Sequence, residues 1–126
     1  MPSLPDLSPL IGCTIGRVCL DYQVTLSVLS TDGAYGQRVD ALLIMESPFT
    51  VTRGGDAQQV DPNEKLGLPA TLDLLHRQVT AVEVATDQSL SLSLSDDVRV
   101  HVPRDPHYEA WQVTGHGVQA WIAGPQ

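Results

Sequence analysis

Apolar and polar residues alternate along most of this chain, which is the period-two pattern of strands that bury one face. The alternation is clearest at residues 90–94, where leucines alternate with serines, and it continues through the valines of residues 98–102. Residues 22–28 alternate in the same way in the first half, and residues 39–45 are almost continuously apolar. The pattern predicts a mainly β protein built from antiparallel strands.

These strands fall into two groups with the same rhythm. The predicted strands are residues 18–20, 22–28, 39–45 and 49–52 in the first group, and residues 82–84, 90–94, 98–102, 108–114 and 118–123 in the second. Between the groups, Leu68, Leu72 and Leu75 follow the i, i+4, i+7 spacing of one helix face. One short helix is therefore predicted near residues 70–77.

The predicted architecture is one β-rich domain at residues 12–126 that follows a Pro-rich lead-in at residues 1–11. We expect a meander at 12–60, a helical linker at 61–78 and a second meander at 79–123. Together they would form a sandwich or a strongly bent sheet, α+β at the margin. The shared rhythm also fits an internal duplication, whose two meanders would superpose, although any antiparallel protein produces a similar rhythm.

Composition and charge exclude several functional classes. The chain has 126 residues, a formal net charge of −8 and 42% hydrophobic residues. It is therefore too apolar for a disordered chain and too acidic for general binding of nucleic acid or anionic membranes. The N-terminus has no basic start and is interrupted by Pro2, Pro5 and Pro9, so no secretory signal is expected. Cys13 and Cys19 suit reduced thiols in a cytoplasmic protein.

The sequence contains no catalytic or metal-binding motif. His101, His107 and His116 are six and nine residues apart, which is not the spacing of zinc ligands, so ordinary surface histidines are expected. The serines of residues 89–95 form the wet face of a strand, and no Gly-x-Ser-x-Gly or phosphate-binding glycine motif occurs. We therefore expect neither an enzyme nor a cofactor or metal site.

Acidic residues are mildly concentrated in the second meander. Five carboxylates lie within 23 positions, interrupted only by two arginines: Asp87, Asp96, Asp97, Asp105 and Glu109. One interpretation is ordinary solvation of hairpin turns. The other is a negative surface for a basic protein partner, which would steer association. If residues 90–94 and 98–102 pair as a hairpin, Asp87 lies at the end opposite Asp96 and Asp97.

A family resemblance adds to this picture. Residues 108–115, Tyr-Glu-Ala-Trp-Gln-Val-Thr-Gly, follow a hairpin of the form Leu-x-Leu-x-Leu-x-Asp-Asp-x-Arg-Val-x-Val. With Leu-Asp-Tyr-Gln-Val-Thr-Leu at 20–26 and Glu-Ser-Pro-Phe at 46–49, they resemble a family of small uncharacterised bacterial domains that carry a Tyr-Glu-x-Trp motif. The chain departs from the family pattern in having Asp97 in place of a turn glycine and no Pro-Gly-Gly close. Domains similar to this family occur beside genes for secreted toxins, which implies an immunity-type role.

The two rings of the motif have a structural interpretation. Tyr108 and Trp111 are three residues apart, so on a regular strand they face opposite sides. We expect one ring in the core and the other over an edge or the helix. Three functions from different classes remain open: an acidic protein-binding protein, with an immunity-type inhibitor of a basic toxin domain as its specific form; a homo-oligomeric structural module such as a homodimer; and a small-ligand-binding β-domain.

Overall fold

The computed structural model describes residues 4–30 and 38–125. About half of the described chain is β-structure, and the strands are β1 Thr14–Leu20, β2 Val24–Leu29, β3 Asp40–Met45, β4 Phe49–Arg53, β5 Asp56–Val60, β6 Val79–Val84, β7 Leu90–Leu94, β8 Val98–Val102, β9 Trp111–His116 and β10 Trp121–Ala123. The 3-10 helices Ser8–Leu10 and Leu68–Leu74 precede β1 and β6.

The strands form two five-stranded antiparallel sheets. Sheet I has the order β1-β2-β3-β9-β10, and sheet II has the order β5-β4-β8-β7-β6. Along the central strands every second side chain is buried, as in β7 and β8, and these side chains join one hydrophobic core between the sheets. The mainly β, antiparallel fold predicted from the alternation is confirmed, and β7 and β8 coincide with predicted strands.

The two halves of the chain exchange strands between the sheets. Strands β1–β3 belong to sheet I, whereas β4 and β5 cross to sheet II; β6–β8 belong to sheet II, whereas β9 and β10 cross to sheet I. Consequently β3 pairs with β9, and β4 pairs with β8. Each half begins as a three-stranded meander, and its last two strands complete the sheet that the other half begins.

Strand β5 is the element that the alternation does not predict. Its first four residues are exposed and only Val60 is buried, so the strand carries no period-two hydrophobic signal. Backbone pairing with β4 holds it in place, from Phe49 opposite Val60 to Arg53 opposite Asp56. As the edge strand of sheet II, β5 needs a partner on one side only, and polar side chains are ordinary there.

Several predicted boundaries differ from the structure. The helix expected near residues 70–77 is the 3-10 helix Leu68–Leu74. The strands expected to begin at Tyr22 and Tyr108 begin two and three residues later, so both tyrosines lie in loops. Leu7 and Leu10 of the lead-in are buried in the core, so the packed part of the chain extends to before residue 12. The segment Ser-Thr-Asp-Gly at residues 30–33 has a composition typical of a turn, and its residues 31–33 lie outside the described part of the chain.

Strands β1 and β6 occupy equivalent places in the two halves. Each is paired with the next strand through a register shift near its start, between Ile15 and Arg17 in β1 and between Val79 and Ala81 in β6. Adding 64 to a residue number in β1 therefore gives its equivalent in β6. The same shift of 64 relates the 3-10 helices. The Ile11 amide donates to the Ser8 carbonyl, and the amide of residue 75 donates to the carbonyl of residue 72.

The starts of β1 and β6 also contact one another reciprocally. The Ile15 amide donates to the Arg77 carbonyl at 2.9 Å, and the Val79 amide donates to the Cys13 carbonyl at 2.8 Å. Under the shift of 64 these are the same hydrogen bond made twice. Such reciprocity is the mark of a two-fold relation between two similar units, so the halves of this chain are related by a pseudo-two-fold axis.

The equivalence extends to the centre of the core. Phe49 begins β4 opposite Val60, and Trp111 begins β9 opposite Ala123. Both aromatic rings are almost fully buried, and they are the two largest side chains that are. The rhythm shared by the halves of the sequence thus has a counterpart in three dimensions, with one large ring contributed by each half.

Candidate functional site

One end of the sandwich is formed by loops from both halves of the chain. It comprises the turn at residues 21–23, the connection at 46–48, and the loops at 61–67, 85–89 and 103–110, together with residues 124–125. We call this the acidic end. The register brings these loops together, because β1, β3, β5, β6, β8 and β10 end there.

Side chains of three residues, Trp111, Asn63 and Arg104, donate hydrogen bonds that join the loops of the acidic end across the two sheets. The Trp111 indole N–H donates to the Gln88 carbonyl at 2.8 Å. The Asn63 side-chain amide donates to the Glu46 carbonyl at 3.3 Å. The third bond runs from the guanidinium of residue 104 to the carbonyl of residue 124, at 2.9 Å. The loops are therefore cross-linked to one another rather than independent.

Carboxylates dominate the acidic end. Among the described residues it carries seven of them, all exposed or half-buried: Asp21, Glu46, Asp61, Glu64, Asp87, Asp105 and Glu109. The lysine and arginine side chains of the same loops are Lys65 and Arg104. Arg104 donates to the carbonyls of Gly124 and Pro125, so its guanidinium is engaged with the backbone. The end therefore has an excess of five negative charges.

The opposite end of the sandwich, which we call the balanced end, has nearly as many basic as acidic side chains among the described residues: Arg38, Arg53, Arg77 and Arg99 against Asp40, Asp56, Asp73, Asp96 and Asp97. Four ion pairs within 4 Å join described residues, and all four lie there: Arg38–Asp40, Arg53–Asp73, Arg77–Asp96 and Arg99–Asp97. The tightest of them, Arg77–Asp96 and Arg53–Asp73, have N–O distances of 3.0 Å. Fixed charge is thus neutralised at one end of the molecule and left in excess at the other.

This distribution divides the carboxylates predicted as a partner surface. Asp87, Asp105 and Glu109 lie together at the acidic end. Asp96 and Asp97 lie in the β7–β8 turn at the opposite end, as the hairpin register requires, and each is paired with an arginine. The five residues therefore do not form one surface, because neighbouring positions in the sequence are separated by the length of a strand.

Four carboxylates of the acidic end were not predicted as part of a site: Asp21, Glu46, Asp61 and Glu64. They belong to the first half, and only the exchange of strands places that half beside the loops of the second. The similarity of the two halves of the sequence could have identified one of these four carboxylates. Asp21 accepts from the Gln23 amide at 2.9 Å, and Asp87 accepts from the Ser89 amide at 2.9 Å, which makes the two aspartates equivalent turn residues.

Short backbone hydrogen bonds hold several of these carboxylates in place. Asp105 accepts from the amides of His107 and Tyr108 at 2.7 and 3.0 Å. Asp61 accepts from the Asn63 amide at 3.1 Å. Asx turns of this kind fix the side chain against its own loop. The negative charges at this end are therefore presented by ordered loops.

Two carboxylates of the acidic end have pKa values shifted in opposite directions. Partial burial, and then the negative charge of Glu109, raise the pKa of Glu46 above its ordinary value. Hydrogen bonds from the backbone and hydroxyl of Ser89 lower the pKa of Asp87, with a small contribution from His101. Glu46 thus experiences a like charge, whereas Asp87 is held in its ionised form by hydrogen bonding.

The histidines do not converge on a metal site. Among the described residues, no group of three or more His, Cys, Asp and Glu side chains could hold an ion. His107 is exposed in the loop before β9, and His116 is exposed at the end of β9. His101 lies on the outer face of sheet II, where its Nδ1 is 3.0 Å from the Ser91 hydroxyl.

Ser91 and His101 make the contact expected of a nucleophile and its base, but they lie on a surface that does not suit catalysis. The two residues are directly opposite each other on β7 and β8, so their side chains stand side by side on an open sheet. Nucleophilic catalysis also needs a concave site with donors aimed at a developing oxyanion. Neither Ser91 nor His101 lines the cleft beside the β4–β5 turn or the two smaller clefts that contain Tyr22 and Arg38.

Trp111 and Tyr108 have different environments. Trp111 is fully buried, and Tyr108 is 50% exposed in the loop before β9. The indole therefore has the structural role expected for one ring of the motif. Tyr108 is not on a strand, so the argument from opposite strand faces does not apply to it.

One cleft lies at the balanced end. It has a volume of about 730 Å³ and is lined by the β4–β5 turn, the 3-10 helix Leu68–Leu74 and Asp96. Arg53 and Asp73 line it as an ion pair. No helix in the described residues is long and apolar enough to cross a membrane.

Comparison with known proteins places the chain in a family. No curated protein and no solved structure matches it. A family model described as a family of unknown function, DUF6188, matches residues 6–126. This range includes both halves of the pseudo-two-fold repeat and every loop of the acidic end. The chain belongs to DUF6188.

Proposed function

We propose that this protein is a non-catalytic protein-binding domain that docks through its acidic end to a basic surface of a partner protein. The separation of charge carries this proposal. The four ion pairs neutralise one end, while the other combines seven carboxylates with two cations. Unpaired like charge costs stability. The pKa of Glu46 is raised first by partial burial and then by the charge of Glu109, and a partner of opposite charge would relieve the second of these costs.

The physical role of such a surface is recognition. A concentrated negative potential accelerates encounter with a basic partner and disfavours acidic ones. It also repels nucleic acid and anionic membranes, so neither is the proposed partner. Because salt screens charges beyond about 10 Å at 0.1 M, the association is expected to weaken as ionic strength rises.

The more specific form of the proposal is an immunity-type inhibitor of a bacterial toxin. It rests on the resemblance to domains found beside toxin genes, and the chemistry of the acidic end adds that the toxin domain would be basic. The homodimeric alternative has less support at this end, because a symmetric contact would place seven carboxylates against seven others.

Affinity capture from the source organism tests the proposal. The bait variants are a triple substitution at the acidic end, Glu46→Gln, Glu64→Gln and Glu109→Gln, and a matched control at the balanced end, Asp40→Asn, Asp56→Asn and Asp97→Asn. Both change the net charge by the same amount. We expect the wild type and the control to retain a basic protein at low salt and the acidic-end variant to lose it. Equal capture by both variants, or no partner at sub-micromolar affinity, would refute the proposal.

A further inference from the structure

The acidic end contains a small apolar groove. It lies between the turn that joins β1 to β2 and the loop at residues 61–67, and its volume is about 410 Å³. Leu20 and Tyr22 line one side, and Pro62 and Leu68 line the other. A concave apolar surface with a few polar groups at its margin is the usual form of a binding site.

Tyr22 is unusually placed for an aromatic residue. Its side chain is 86% exposed and Leu20 beside it is 44% exposed, so neither contributes fully to the core. The turn that presents Tyr22 is ordered by the bond from the Gln23 amide to Asp21. Exposed, fixed tyrosines are favoured as anchors in protein interfaces, because the ring buries a large area at a low cost in conformational entropy.

The two halves of the chain differ at the turn that borders the groove. In the second half, the equivalent turn is tied to the core through the bond from Trp111 to the Gln88 carbonyl. In the first half, the residue equivalent to Trp111 is Phe49, which has no polar atom and cannot make that bond. The turn at residues 21–23 is therefore released from this constraint.

Charge surrounds the groove on both sides. Asp21 and Lys65 line it directly, and Glu64 is the neighbour of Lys65. Asn63, another lining residue, donates to the backbone carbonyl of Glu46, so the connection at residues 46–48 adjoins the margin of the groove. The margin is therefore negative in sum, with one lysine that can extend its aliphatic stem along the apolar wall.

We propose that this groove receives one bulky apolar or aromatic side chain of a basic partner segment, in which lysines or arginines flank that side chain. The apolar walls take the anchor, and the flanking cations contact Asp21, Glu46 and Glu64. Tyr22 offers a ring face to either kind of group. This inference rests on the proposed function, and it adds the position of the docking contact and the pattern of the partner's recognition segment.

The test uses the full chain and two peptides, acetylated and amidated Lys-Lys-Trp-Lys-Lys and Lys-Lys-Ala-Lys-Lys, followed by ¹⁵N–¹H NMR titration at low salt. We expect the tryptophan peptide to bind at least about fivefold more tightly, with shifts centred on residues 20–23 and 62–68. Tyr22→Ala should remove this preference. The control Tyr108→Ala, which truncates an exposed tyrosine at the same end and outside the groove, should retain it.

The outcomes separate the two proposals. Equal binding of both peptides, or an unchanged preference for the tryptophan peptide in Tyr22→Ala, would refute the docking contact in the groove. The proposal that the acidic end is a docking surface would still stand. Absence of binding by either peptide at low salt would count against both. Shifts confined to the balanced end would also overturn both, since the cations would then contact the paired carboxylates there.

Discussion

The indole N–H of Trp111 donates to the carbonyl of Gln88 at 2.8 Å and so joins the two sheets at the acidic end. Trp111 begins β9 in sheet I, whereas Gln88 lies in the turn between β6 and β7 of sheet II. The turn has a positive φ of 70° at Gln88, a conformation that favours glycine and asparagine over other residues. The bond from a fully buried ring therefore stabilises a backbone conformation that is otherwise unfavourable.

Trp111→Phe should destabilise the fold by about 2–4 kcal/mol, because it leaves a void in the core and removes a donor from a part-buried carbonyl. Urea denaturation measures the change. Hydrogen exchange supplies a second readout, since amides of residues 85–89 should exchange faster once the turn is released.

The matched control is Phe49→Leu at the equivalent position in the other half. It also removes part of a large buried ring, but no hydrogen bond to a turn is lost. Exchange at residues 85–89 should then change only as much as the global stability does. If both variants accelerate exchange in this turn equally, the bond to Gln88 has no local role.

Arg77 links three backbone segments at the balanced end. Its guanidinium donates to the carbonyls of Asp73 and Ser95 and to the Asp96 carboxylate, and its side chain is only 15% exposed. Arg77→Met should cost about 2–3 kcal/mol in urea denaturation, since hydrogen bonds of a buried charged group are lost together.

The comparison residue for Arg77 is Arg99. Its side chain is 69% exposed and its contact with Asp97 is 3.8 Å, so the pair is screened by solvent. Arg99→Met should change stability by less than about 1 kcal/mol. A loss at Arg99 as large as that at Arg77 would show that net charge, and not the bonds to backbone carbonyls, determines stability at this end.

Glu46 should give the protein a stability that depends on pH in a defined direction. Because the pKa of Glu46 is raised in the folded state, the folded protein holds the proton more readily than the unfolded chain. Ionised Glu46 therefore destabilises the fold at neutral pH, and this cost disappears as pH falls below its ordinary value of 4.5. Glu46→Gln should be more stable than the wild type at pH 7, by less than about 1 kcal/mol, and equal to it near pH 4.

Asp87 should give a dependence of stability on pH that has the opposite sign. Hydrogen bonds to Ser89 lower the pKa of Asp87, so its ionised form contributes stability that is present at neutral pH and lost as pH falls through the folded pKa. Asp87→Asn should be less stable than the wild type at pH 7, with the difference narrowing in acid. Thermal unfolding of both variants between pH 3 and 7 measures the two trends, and parallel curves would contradict the assignment.

The parts of the fold that the sequence predicts are those with a local hydrophobic signal. The alternation of leucine and serine predicts β7, because the core lies on only one face of this strand. β5 has no such signal, since pairing with β4 forms it rather than burial. The candidate site depended on the exchange of β4–β5 with β9–β10, which no local pattern encodes. For that reason Asp87 was predicted as part of the site and its equivalent Asp21 was not. The separation of Asp87 from Asp96, by contrast, follows from the local pairing of β7 with β8, which the sequence does predict.

The hairpin turn at Asp96 and Asp97 retains a strain that a sequence change would relieve. Both residues have positive φ, of 62° and 59°, where glycine is free of the penalty that a side chain incurs. Asp97→Gly should therefore stabilise the protein by about 0.5–1 kcal/mol, since the ion pair that it removes is exposed and contributes little. Chemical denaturation measures the gain, and a net loss would mean that the contact with Arg99 outweighs the backbone strain.

The pseudo-two-fold relation predicts that the chain can be circularly permuted. Seven residues connect Val60 to Leu68, and joining the two ends of the chain would place six residues between their equivalents, Ala123 and Leu4. Loop-closure entropy changes slowly with length, so these two connections should be interchangeable.

A permutant that begins at Glu64 and ends at residue 63 should fold cooperatively, within about 2 kcal/mol of the wild type. A permutant opened within β2, between residues 26 and 27, interrupts a central strand and should not fold. Circular dichroism and urea denaturation show which permutants fold. If the permutant that begins at Glu64 fails to fold, as the one opened within β2 should, the two connections are not interchangeable around the axis.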